Sequence, residues 1–290
     1  MKHLIKSKHL FILFLVSMIT LNSCISQQKK TIELELGICT NFSNAEVMKT
    51  LGYTYVEESV GKFLMPNKSE EEFNEMLQMS RNRSLTIKAC NNFIPKELKS
   101  VGPNAVHDNI LTYVETAFRR AQIAGIEIIV FGSGGSRNIP EGFPYDEARD
   151  QFIDLCKKMA PIAEKYNVTV VLEPLNTQEC NFINSVDEGG EIVKEVNHPN
   201  FMLLADIYHM KMDGEGPESI IKYGELIKHT HIAEKQDRAV PGTYEEDFRP
   251  YFEALNNINY KGKMSIEARW NDFETEASLG INTIIDQLNN

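Results

Sequence analysis

The sequence predicts a single-domain α/β fold, a closed (β/α)8 barrel, and three observations predict it. From residue 31 onward, short apolar runs alternate with amphipathic helical stretches at intervals of about 20 to 40 residues, the mark of repeated βα units around a parallel sheet. Eight such units fit into about 260 residues, the size of a closed barrel, with a doubly wound open sheet as the competing architecture. No Gly-x-Gly-x-x-Gly follows the first strand, so the nucleotide-binding form of the open sheet lacks its signature.

The strands are expected at Glu33–Thr40, Tyr53–Val60, Leu85–Asn91, Ile126–Gly132, Val168–Pro174, Phe201–Ile207, Lys228–Glu234 and Lys263–Arg269. The run from Val168 to Leu172 is almost continuously apolar, as parallel strands buried on both faces are. Helices are expected over Val106–Ala124, with Gly125 as C-cap, and over Tyr145–Tyr166, with Asp146 and Glu147 in the first turn and Lys165 in the last. Ser69 and Glu72 have the spacing of a capping box opening another helix. No linker, low-complexity stretch or second domain interrupts residues 31–290.

Before the barrel, Lys2, Lys6 and Lys8 precede an apolar run from Leu10 to Leu21, too short to span a membrane but of signal-peptide length. It ends in Leu21-Asn22-Ser23-Cys24, which resembles the lipobox of bacterial lipoproteins. That resemblance implies removal of residues 1–23, lipidation of Cys24, a tether over residues 24–30, and an exported protein anchored to a membrane of the bacterial envelope. Removing those three of the 30 basic residues leaves 27 against 41 acids, so the formal charge moves from -11 to -14. Such an acidic chain repels a phosphate backbone, and nucleic acid is not expected as a partner. The remaining cysteines, Cys39, Cys90, Cys156 and Cys180, show no paired spacing and read as small buried thiols. Homo-oligomerisation is left open.

A barrel puts its reactive groups at the C-terminal ends of its strands. There the fifth strand delivers Glu173, the sixth Asp206, the seventh His231 and the eighth Glu267. A carboxylate at a strand end is by itself most often structural. Three of them converging on one rim would repel one another, and a divalent cation is the simplest charge that removes the conflict. Three carboxylates and one imidazole form a hard donor set suited to Mn2+ or Mg2+, with Co2+ or Zn2+ as alternatives; one Mn2+ is the expected cofactor.

These residues resemble the xylose isomerase-like TIM-barrel superfamily, and within it the sugar isomerase and epimerase branch that includes the ketose 3-epimerases. The resemblance spans nearly all of residues 31–290 and is carried by Glu173-Pro-Leu-Asn-Thr-Gln-Glu179, Asp206-Ile-Tyr-His209, His229-Thr-His231-Ile-Ala-Glu234, Arg238, Val240-Pro241-Gly242 and Glu267. It implies that Glu173 and Glu267 are both metal ligands and the proton-transfer pair, and that Asp206 and His231 are ligands only. Glu179, His209 and Arg238 would hold substrate oxygens; Arg238 lies seven residues beyond His231, one more than in the ketose 3-epimerases. Glu57 stands where related barrels present a glutamate to the substrate. His229 shares a strand face with His231 one layer deeper and reads as a packed supporting group. The loop Gly132–Arg137 could cradle an anion or a sugar ring or simply form the rim, and Trp270 could stack on a sugar face or pack.

The implied reaction is metal-dependent isomerisation or epimerisation of a small-molecule sugar or glycoside, because a cation that polarises a ketone acidifies the neighbouring C–H and stabilises the enediolate. A lyase, dehydratase or epimerase of keto-glycosides or inositols would use the same enolisation, and a non-catalytic carbohydrate-binding lipoprotein is the reading from another class. The endonuclease branch of the superfamily uses many more histidines and a basic groove, whereas this chain has seven His, two of them in the signal segment, and is acidic.

Overall fold

Where the chain turns apolar and β-branched it lays down eight strands: β1 (Glu35–Cys39), β2 (Tyr55–Ser59), β3 (Ile87–Asn91), β4 (Ile128–Phe131), β5 (Thr169–Leu172), β6 (Phe201–Asp206), β7 (Ile227–Ile232) and β8 (Lys263–Ile266). The computed structural model describes Ile32 and residues 34–290; the expected signal segment, lipidation site Cys24 and tether lie outside the described residues. Each strand pairs in parallel with the next, and β8 closes on β1 through the register Leu36↔Met264 and Ile38↔Ile266. The expected closed (β/α)8 barrel is thus the observed fold, with all eight strands at their expected places.

Helices cover the outside, among them Ala45–Leu51, Glu70–Arg81, His107–Ala124, Tyr145–Lys165, Val186–Val196, Arg249–Asn257 and Phe273–Asn289. The capping box forms as expected: Glu72 donates its N–H to Ser69 Oγ at 3.2 Å, and Ser69 donates its own to Glu72 Oε2 at 3.0 Å. Gly125 closes the helix His107–Ala124 at φ 75°, in the left-handed region.

Two cores result. The larger fills the layer between sheet and helices; the smaller lies inside the barrel, where Tyr55, Ala89, Ile128, Val130, Val171 and Leu204 stack. Gly37 lets the Tyr55 ring cross the barrel, since a Cβ there would sit 2.4 Å from it. At the N-terminal end Lys263 pairs with Glu35 and Glu127, at 3.3 and 3.0 Å.

Most expected strands run past the observed ones at their C-terminal ends, and the reason bears on function. Pairing in β4, β5 and β8 stops at Phe131, Leu172 and Ile266. Gly132, Glu173 and Glu267 follow immediately, so the chemistry-bearing residues sit where the ladder gives way to loop.

Candidate metal centre and active site

Four adjacent strands bring Glu173, Asp206, His231 and Glu267 together, with donor atoms all within 4.8 Å of one another. His231 Nδ1 faces Glu173 Oε1 at 2.9 Å and Glu267 Oε2 at 3.4 Å. Asp206 opens the helix Ile207–Asp213: its Oδ1 accepts the Tyr208 N–H at 2.8 Å, while its buried Oδ2 points into the cluster and makes no hydrogen bond among the described residues, with His209 Nε2 at 3.4 Å and Arg238 Nη2 at 3.8 Å. An orphaned buried carboxylate oxygen beside two more carboxylates is what a hard cation would satisfy, so the residues present fit the expected divalent metal.

The two outer carboxylates have different surroundings. Burial, reinforced by the charges of Glu267 and Asp206, raises the Glu173 carboxyl above its ordinary range. Burial would also raise Glu267, but the His231 charge and then Arg238 overcome it and hold that carboxyl at about 2. Asn91, at the end of β3, donates Nδ2–H to Glu267 Oε1 at 2.8 Å. Glu173 in turn owes its position to Gly132, where a Cβ would stand 2.1 Å from Glu173 Oε2.

A cleft of about 360 Å3 opens above this cluster, lined in part by Asn91, Lys96, Ser133, Glu179, His209 and Arg238. It falls within the roughly 300–1,000 Å3 typical of small-molecule sites. Arg238 reaches it although it lies one residue late, because Asp237 and Arg238 both take left-handed conformations, φ 59° and 51°. Its guanidinium donates to Glu267 Oε2, lies 3.2 Å from Glu179 Oε1, and sits 4.4 Å from the centre of the Tyr208 ring. His209 is buried, and its Nδ1 accepts from Asn176 N at 3.2 Å, with Asn176 Nδ2 at 2.8 Å. The Nε2, which then carries the proton, lies 3.4 Å from Asp206 Oδ2 without a hydrogen bond to it.

Several expectations need correction or sharpening. Glu57 was expected to meet substrate, yet it is fully buried below the cluster, hydrogen-bonded to His229, His231 and Ser265. Its strand delivers it to the barrel axis one layer beneath the rim. His229 lies in that layer as expected, 2.7 Å from Glu57. In the glycine-rich loop, Ser133, Gly134 and Gly135 line the cleft, but Arg137 is buried beneath it and donates to the carbonyls of Phe131 and Ile183. Trp270 packs on Phe273 with ring centroids 4.9 Å apart, and it does not line the cleft. The four cysteines among the described residues are free; three are buried, and Cys39 is partly buried. Asn91 and Asn176 were not singled out from the sequence, although Asn91 obeys the same strand-end rule as the four cluster residues.

The closed barrel with this cluster at its C-terminal rim defines a class, and the xylose isomerase-like TIM barrel family matches residues 45–286. The chain belongs to that family. Among its relatives, the L-ribulose 3-epimerase of Methylomonas sp. is 32% identical over 42% of this chain, a match that spans 43% of that protein. The D-psicose 3-epimerase of Enterocloster bolteae is 24% identical over 76% of this chain and 74% of its own length. The solved D-psicose 3-epimerase with D-tagatose from Clostridium cellulolyticum superposes with a TM-score of 0.76 at 20% identity, covering 88% of this chain and 99% of that one. The IOLI protein, solved with a bound zinc atom, gives 0.71 at 19% identity over 88% and 98%. At these identities the structural likeness establishes the fold, while the relatives are ketose 3-epimerases and related isomerases.

Proposed function

We propose that the chain is a divalent-metal-dependent sugar isomerase or epimerase, with Glu173, Asp206, His231 and Glu267 holding the metal. The observation that carries this reading is the pair Glu173 and Glu267, two carboxylates flanking one imidazole nitrogen at the floor of a sugar-sized cleft. A module that only binds sugar needs no such pair. The cation, when bound, supplies the Lewis acidity that makes a C–H beside a carbonyl removable near neutral pH. One glutamate takes that proton and the other returns one. Return to the opposite face of the same carbon inverts it; return to the neighbouring carbon shifts the carbonyl.

The other residues orient the substrate. His209 offers Nε2–H, Arg238 offers guanidinium N–H groups, and Glu179 supplies an acceptor for a hydroxyl. Mn2+ suits the oxygen-rich donor set best. We also propose export and anchoring through Cys24, which would favour free sugars, glycosides or keto-glycosides over sugar phosphates. Fatty-acid labelling that persists in Cys24→Ser, or preferred turnover of phosphorylated sugars, would count against that part.

The deciding experiment follows solvent deuterium into the carbon-bound positions of a ketose panel, with and without Mn2+, in the wild type, Glu173→Gln and Glu267→Gln. Metal-dependent exchange that both variants lose is the expected result. Tight sugar binding without exchange across the panel would replace the enzyme by a binding protein.

A further inference from the structure

Beneath the cluster, β2, β7 and β8 contribute a set of buried polar groups that the proposed reaction does not use. These are Glu57, His229, Ser265 and Tyr55, each 0% exposed, as is His231 of the cluster above them. Glu57 Oε2 lies 2.7 Å from His229 Nε2 and 2.6 Å from Ser265 Oγ, and its Oε1 lies 3.0 Å from His231 Nε2. Tyr55 OH completes the chain at 2.7 Å from Ser265 Oγ. An ionised carboxylate can only accept, so the direction of each bond is fixed. Tyr55 donates to Ser265, Ser265 donates to Glu57, and His229 and His231 each present an Nε2–H to the same carboxylate. Ser265 Oγ–H and the two imidazole Nε2 atoms converge on its two oxygens, three donors that the carboxylate form accepts.

The consequence falls on the other nitrogen of His231. Two site carboxylates face Nδ1 at 2.9 and 3.4 Å, and by themselves they would draw the ring proton to Nδ1. A protonated Nδ1 cannot ligate a cation. Against that pull, the other group near Nε2 among the described residues is the Cys39 thiol, whose sulfur is 3.9 Å away and a weak partner. Glu57 supplies the opposing pull.

We infer that Glu57 is a positioning residue: it retains the Nε2 proton of His231, so that Nδ1 presents its lone pair to the metal, and it is itself oriented by Ser265, Tyr55 and His229. The inference rests on the metal-binding part of the proposed function and not on which sugar is turned over. Carboxylates behind a ligating imidazole typically set metal affinity by about 10- to 100-fold.

The test measures Mn2+ and Zn2+ affinity by chelator competition in the wild type, Glu57→Gln and Ser265→Ala, with circular dichroism to monitor the fold. In Glu57→Gln the amide NH2 can donate to His231 Nε2 and send the proton to Nδ1. Affinity should therefore fall about 10- to 100-fold, and by less in Ser265→Ala, which keeps the carboxylate. In 15N-histidine-labelled, Zn2+-loaded wild type, His231 should show a protonated Nε2 and a metal-shifted Nδ1, a readout that needs no variant at Glu57. Unchanged affinity in a folded Glu57→Gln, or Zn2+ on the Nε2 of His231, would overturn the inference while leaving the metal site standing. A wild type that binds neither metal would overturn both.

Discussion

Gly132→Ala is a one-methyl perturbation whose effect follows from a single distance. Gly132 does not occupy the left-handed region, so alanine is acceptable to the backbone and the cost is steric. The new Cβ would stand 2.1 Å from Glu173 Oε2, whereas real Cβ contacts essentially never fall below 3.0 Å. The carboxylate must therefore retreat by about 1 Å, which disturbs the 2.9 Å contact that its other oxygen, Oε1, makes with His231 Nδ1. A 1 Å displacement of a reacting group costs on the order of 100-fold, or about 2.7 kcal/mol in the barrier. The assay is kcat/KM for deuterium incorporation into a turned-over ketose, with chelator competition for Mn2+ alongside. Gly61→Ala serves as the control, since the nearest atom to a Cβ there is Ser59 Oγ at 3.9 Å. We expect Gly132→Ala to lose about 100-fold in kcat/KM and to weaken metal binding, with a normal circular dichroism spectrum. A folded variant with wild-type turnover and affinity would refute the argument that Gly132 exists to make room for Glu173.

Asn91→Ala removes a donor to a charged oxygen, worth about 1.5–3 kcal/mol, so kcat/KM should fall roughly 10- to 100-fold. Asn91→Asp should be worse, because it sets a like charge beside Glu267; steady-state kinetics of both variants check the order. Away from the site, hydrogen bonds from Arg119 and then the buried Arg120 hold the Glu70 carboxyl at about 2, below its ordinary 4.5. A lowered carboxyl stabilises the fold above the unfolded value and loses that effect as pH falls toward the folded one. Glu70 is itself exposed, so the effect is about 1 kcal/mol at most. The urea midpoint gap between wild type and Glu70→Gln should therefore be present at pH 7 and close between about pH 4.5 and 2. A gap that does not change with pH would disprove the account.

What could be read from the chain follows from period and position. The eight apolar runs fixed where the strands fall, and the rule that barrel strands end in their functional groups picked out Glu173, Asp206, His231 and Glu267 from a chain with 41 acids. The capping box at Ser69 and the Gly125 cap were visible because both are contacts within one helix turn. His229 was placed correctly below His231 because side chains two apart on a strand share a face.

The residues that went unread are those whose meaning depends on a partner far along the chain. Glu57 ends an apolar run much as Glu173 does, but the stagger of the closed sheet sets it a layer lower, and its partners His229 and His231 lie 172 and 174 residues away. Asn91 gains its role from Glu267 across 176 residues. Arg137 looked available in a glycine-rich loop, but the tertiary structure turns it under the loop onto the carbonyls of Phe131 and Ile183. By itself the sequence determined the barrel and the donor atoms at its rim, because both are encoded in local periodicity. Only the tertiary structure decided which face of each carboxylate meets the cleft and which residues stand behind the cluster, because closing the barrel fixes strand stagger, and stagger fixes depth along the axis.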